Sequence, residues 1–148
     1  MEIKVKTIPN TQEEYMEIGC HKYDERINEI VRFVKFHQGS VEGYLDQRQY
    51  QIPITDIYYI ESIEEHTFIY LKKTCYESKR RLYEFEQLLE DRHFMRISKS
   101  VLVNMMKINA IKPALNGRFL CLLNNDEKVI ISRKYVPDIK DRLKGEKG

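Results

Sequence analysis

A chain of 148 residues, 42% hydrophobic and 32% charged, carries enough apolar material for a folded core and too much for a disordered tail. No apolar run approaches the roughly 20 residues that span a bilayer, and the first residues alternate charged with apolar, so secretion and membrane insertion are disfavoured and a cytoplasmic protein is expected. The net charge of +2 conceals a division: residues 1–95 hold 13 Lys and Arg against 18 Asp and Glu, whereas residues 96–144 hold 11 against 4, a basic segment of the kind a phosphate backbone attracts.

In chain order, Ile3, Val5 and Ile8 alternate with polar residues ahead of Pro9-Asn10, which predicts a short strand and a turn, and a second strand is expected over Tyr15 to Cys20. Asp24 is a suitable N-cap for a helix from Glu25 to about Phe36, with Ile27, Ile30, Val31 and Val34 on one stripe. Gly39-Ser40 ends it. Residues 1–40 are therefore expected to form a strand-strand-helix extension, and residues 41–144 a separate domain.

That domain opens with a hairpin over Val41 to Tyr50, its tip at Asp46-Gln47-Arg48. A second hairpin is expected from Asp56–Ser62 and Thr67–Leu71, joined by the polar turn Ile63-Glu64-Glu65-His66. Cys75–Glu77 is a brief strand. Ser78 is expected to cap a helix over 79–90, whose Leu82, Phe85, Leu88 and Leu89 form an apolar stripe. Extended segments follow at Phe94–Ser98, Val101–Ile108, Ala110–Leu115, Phe119–Leu123 and Lys128–Ser132, punctuated by Asn116-Gly117 and Asn124-Asn125-Asp126. From Arg133 the pattern returns to a helical period, with Pro137 suited to a first turn. The fold class expected is α+β, mostly β, with antiparallel sheets and two or three helices.

Enzyme chemistry finds no support. The four histidines sit in different elements, no Gly-rich phosphate loop or metal-ligand spacing occurs, and a Ser/Lys nucleophile built from Ser98, Lys99 and Ser100 lacks any announced oxyanion hole. Neither a cofactor, a metal nor a small-molecule substrate is expected. Cys20, Cys75 and Cys121, odd in number and far apart, read as reduced core thiols. Three basic loops stand out instead: Ser98-Lys99-Ser100 between two apolar strands, Asn116-Gly117-Arg118 on a tight turn, and Ser132-Arg133-Lys134 at a strand-to-helix junction. Arg and Lys in such loops can read guanine edges or neutralise phosphates without a recognition helix. Tyr58, Tyr59, Phe68, Tyr70 and Phe85 could stack single-stranded bases, but aromatics spaced along strands and a helix are more often core.

Four blocks in order, Ser62 to Leu71, Phe94 to Asn104, Ile108 to Arg118 and Ile131-Ser132-Arg133-Lys134-Tyr135, resemble the signature of LytTR DNA-binding domains over about residues 40–143. The whole looks like stand-alone LytTR regulators without a receiver domain. That resemblance implies a transcription regulator with a mostly β fold whose loops enter successive major grooves of duplex DNA, typically with two copies on repeated half-sites. Residues 1–40 are expected to pack on the domain and mediate a homodimer, because the stripe of Ile27, Ile30, Val31 and Val34 is more than so small an extension buries alone. By position the resemblance places base contacts at His66, Lys99 and Arg133, with Ser98, Ser100, Arg118 and Lys134 on phosphates or in positioning roles. Asn104 is a second-tier contact, or closes the loop to the backbone as turn Asn often does. A regulatory membrane protein is one candidate partner. The competing reading is an interaction module or antagonist that pairs with another LytTR protein without reading DNA. Asn125-Asp126 departs from the Asn-Gly turn common in the family.

Overall fold

The computed structural model describes residues 1–147, which fall into two compact units, Met1–Phe33 and the described residues from Val34 onward. Residues 1–24 contain a turn in which Gln12 N donates to Pro9 O at 3.0 Å, but no strand. The two strands expected at Ile3–Ile8 and Tyr15–Cys20 are thus corrected to irregular chain. Alternation gives a segment the propensity for a strand, but the strand exists only when a neighbour completes its hydrogen-bond ladder, and these segments have none. Helix α1 (Glu25–His37) begins where expected, with Asp24 Oδ1 accepting from Ile27 N at 3.2 Å.

In the second unit ten strands form two antiparallel sheets. They are β1 (Ser40–Leu45), β2 (Arg48–Pro53), β3 (Tyr59–Ile63), β4 (His66–Tyr70), β5 (Cys75–Ser78), β6 (Phe94–Arg96), β7 (Val101–Asn104), β8 (Ile108–Pro113), β9 (Phe119–Leu123) and β10 (Lys128–Ile131). The larger sheet runs β2-β1-β5-β4-β3-β7-β6 and the smaller β10-β9-β8. Both expected tight hairpins are present, with the left-handed pairs Asp46-Gln47 and Glu64-Glu65 at their tips, the backbone geometry whose twist matches the flanking strands. Helix α2 (Leu82–Leu88) is shorter than the stretch 79–90 that the apolar stripe suggested. Ser78 is the last residue of β5, and its hydroxyl accepts from Arg80 N at 3.1 Å in a local turn; the helix start is instead fixed by Glu84, whose carboxylate accepts from Arg81 N at 3.1 Å. Helix α3 (Val136–Lys147) holds Pro137 in its first turn.

Strand alternation divides the interior. On one face of the large sheet Ile60, Ile69 and Leu102 pack with Leu82, Phe85 and Leu89 of the α2 region and with Val41, Ile52 and Ile57. On the other, Tyr59, Val101 and Val103 meet Cys121, Leu123, Val129 and Ile131 of the small sheet and Val136 and Ile139 of α3. The central sheet is therefore covered on both sides. Tyr58, Tyr59 and Phe85 are buried in these cores and Tyr70 stacks on Tyr59 with ring centroids 4.3 Å apart, so these four build the interior rather than a platform for bases, while Phe68 is half-buried with its ring centroid 6.5 Å from that of His66. Of the three free thiols only Cys121 is a core residue, its pKa pushed up to about 12 by burial; Cys75 is half-buried and Cys20 exposed, which corrects the expectation of three core thiols.

Asn104, at the end of β7, is 3% exposed. Its amide nitrogen donates to Ile57 O at 2.8 Å and its oxygen accepts from Met106 N at 3.0 Å, so one side chain closes the turn after β7 and ties it to the segment ahead of β3. Asn104→Ala strips both partners and leaves a buried carbonyl unsatisfied, which should lower unfolding free energy by about 2–4 kcal/mol in urea titrations. A change under about 0.5 kcal/mol would show that the two bonds are dispensable.

Candidate nucleic-acid interface

Three hydrogen-bonded or packed junctions gather the basic loops. Ser62, one residue before the end of β3, donates its N–H to Ser100 O at 2.8 Å, which sets the Ser98-Lys99-Ser100 loop beside the β3–β4 turn that carries His66. Ser132 donates its N–H to Ile97 O at 2.8 Å, which sets the Arg133 junction against the base of the same loop. Ile131 pairs with Phe119 across β10 and β9, which brings Arg133 next to the Asn116-Gly117-Arg118 turn. The contact there is close: a Cβ added to Gly117 would lie 2.8 Å from Arg133 Cδ.

His66, Lys99, Arg118, Arg133 and Lys134 are all exposed, and Ser98 and Ser100 partly so. These seven share one end of the second unit. Asn104 is not among them; its amide is committed to the backbone within the core. His66 is the first residue of β4, and its Nδ1 lies 3.7 Å from Glu77 Oε1 with both side chains more than half exposed, a pair too solvated to fix the ring. Within the loop, Ser98 Oγ accepts from Ser100 N at 3.2 Å, a turn that leaves Lys99 at the apex. Beside it a groove is lined by Glu61, Ser98, Ser100, Lys128 and Ser132. The arrangement offers guanidinium, ammonium, imidazole and hydroxyl groups on short, anchored loops, the donor set that suits phosphates and purine edges.

Sequence reasoning missed one further cluster at this end. Thr67 pairs with Ser78, so Lys79, Arg80 and Arg81, which follow β5, emerge beside the β3–β4 turn, and Arg81 Nη1 donates to Glu65 O at 3.1 Å. Three consecutive cations were visible in the chain, but they sit in its acidic two-thirds, where division by sequence position cancelled them. Lys79 Nζ rests over the Tyr44 ring at 4.6 Å. Among the described residues no group of three His, Cys, Asp or Glu side chains is placed to hold a metal ion.

Fold and site together define a class: a two-sheet β domain that gathers cationic loops at one end. The sequence pattern of LytTr DNA-binding domains matches residues 47–144, and the chain belongs to that family. Two relatives from Staphylococcus aureus strains, each described as an uncharacterized HTH-type transcriptional regulator, are 31% and 30% identical over 138 residues, which is 90% of this chain and 92% of theirs. A solved LytTr DNA-binding domain from Bacillus cereus superposes with a TM-score of 0.66 at 28% identity, covering 70% of this chain and 95% of that one. Among the described residues strands separate α1, α2 and α3, so no two of them form a helix-turn-helix.

Gly117 has a φ of +75°, a left-handed conformation that a side chain strains, and the added methyl would press on Arg133. Gly117→Ala should cost roughly 1–2 kcal/mol of stability in urea unfolding. Unchanged stability would mean that the turn relaxes freely and does not constrain the Arg133 stem.

Proposed function

We propose that this protein is a transcription regulator that reads duplex DNA in the major groove through loops rather than a helix. The observation that carries the reading is the joining of the His66, Lys99 and Arg133 segments at one end by the Ser62–Ser100 and Ser132–Ile97 backbone bonds, with the Arg118 turn added by the pairing of Ile131 with Phe119. Membership of the DNA-binding family supports it independently.

In this reading Arg133 makes a bidentate contact with a guanine, Lys99 supplies a point charge to a base edge, and His66 donates or accepts a single hydrogen bond. Ser98, Ser100, Arg118 and Lys134 hold the phosphates and set the register. Asn104 is assigned to the fold alone. The regulator acts in the cytoplasm, and no described helix is long and apolar enough to cross a membrane. It binds repeated half-sites as a homodimer, with residues 1–40 as an extension that serves packing and dimerisation ahead of the DNA-binding domain at 41–144. A regulatory membrane protein is a candidate partner for the same extension. Exposed Ile3, Val5 and Met16 supply apolar surface suited to such contacts.

Base and phosphate roles separate experimentally. Arg133→Ala should cost about 1–3 kcal/mol at one base pair and relax selectivity there, whereas Arg118→Ala should weaken all duplexes alike and reduce the salt slope by about one. Binding titrations against a selected site and its single-base variants, at several salt concentrations, measure both. Equal losses on every sequence from both substitutions would remove Arg133 from base readout.

A further inference from the structure

The Ser98-Lys99-Ser100 loop is fixed at its ends by Ile97 N donating to Val101 O at 3.0 Å and by the Ser62–Ser100 bond. Its apex is fixed by a different device. Arg96, the last residue of β6, donates from Nη1 to Lys99 O at 2.7 Å and from Nη2 to Glu86 Oε1 at 3.0 Å, tying the apex to α2. The side chain is only 17% exposed, although it belongs to the basic end of the molecule. Glu86 neutralises its charge, and both outer nitrogens are occupied by protein.

We propose that Arg96 is a positioning residue for base readout: it holds the Lys99 peptide so that the Lys99 side chain projects outward in one orientation. The inference rests on the reading of Lys99 as a DNA contact. A guanidinium is suited to the task because it is planar and rigid, and it presents two donors in fixed directions to a carbonyl and a carboxylate at once. Lysine at the same place keeps the charge but is a single point donor on a flexible stem, and cannot span both acceptors. Without the bond the Lys99 carbonyl turns to solvent, the peptide plane is free to rotate, and the ammonium samples several directions. Precision in a recognition group depends on the shell behind it in this way.

The test uses the full chain, a duplex selected by it from a random pool, and a random-sequence duplex of equal length, read by fluorescence anisotropy. Arg96→Lys should weaken binding to the selected duplex by about 5- to 20-fold while changing the random duplex by less than about 2-fold. In a Lys99→Ala background the same substitution should change neither. Equal losses on both duplexes would mark Arg96 as a direct phosphate contact, and a loss that persists without the Lys99 side chain would make its role independent of that group; either result overturns the proposal. If selection returns no preferred duplex, the DNA reading itself fails, and amide hydrogen exchange still decides the positioning. Arg96→Lys should then speed exchange at Lys99 and Ser100 by about 10-fold with the β7 amides unchanged, and no change at the loop refutes it.

Discussion

The pairing of β3 with β7 is the constraint on which the rest of the second unit depends. Tyr59 faces Val103, Ile60 faces Leu102 and Glu61 faces Val101, segments some forty residues apart in the chain. Alternation along those two strands sends Tyr59, Val101 and Val103 to one core and Ile60 and Leu102 to the other, so a single register commits α2 to one face and the small sheet with α3 to the opposite one. A slip of one residue would exchange the two sets and empty both cores. The same ladder, carried one step further, delivers Ser100 to Ser62 and thereby puts the Lys99 loop next to the hairpin that bears His66.

Recognition by loops has a physical difficulty that helices do not share, since a loop without support samples many directions and loses entropy when it binds. Here each loop is short and braced. A two-residue turn ties β3 to β4, a side-chain hydroxyl closes the Ser98–Ser100 turn, Arg81 grips the Glu65 carbonyl, and the Arg133 stem lies against Gly117. Glycine at 117 is what permits that approach. The result is a set of cations on a rigid sheet, consistent with the family's description as a DNA-binding domain.

Much of this was legible in the chain. Turn chemistry located both tight hairpins, the stripe of Leu82, Phe85 and Leu89 located α2, and four ordered blocks identified the family and the mostly β fold. What escaped had nonlocal causes. Strands at Ile3–Ile8 and Tyr15–Cys20 fit every local pattern and lacked a partner, which no local pattern reports. Helix α2 starts at Leu82 instead of residue 79 because the local Ser78 turn and the Glu84 carboxylate decide its first turn. Asn104 lay within the most recognisable block of the chain, and only its burial separates a structural amide from a contact. The cations at Lys79–Arg81 reach the basic end of the sheets through strand pairing, so a charge count along the chain concealed them.

Contact of DNA with the loops at one end of the sheets is what the proposed function requires. Titrating a selected duplex into isotopically labelled protein and following the backbone amides by nuclear magnetic resonance tests it most directly. The largest shifts should fall at residues 63–66, 97–100, 116–118 and 132–135, with the turns at Asp46-Gln47 and Asn124–Asp126 at most weakly affected. Shifts centred on those two turns, or on α1 or α3, would contradict reading of DNA by the loops.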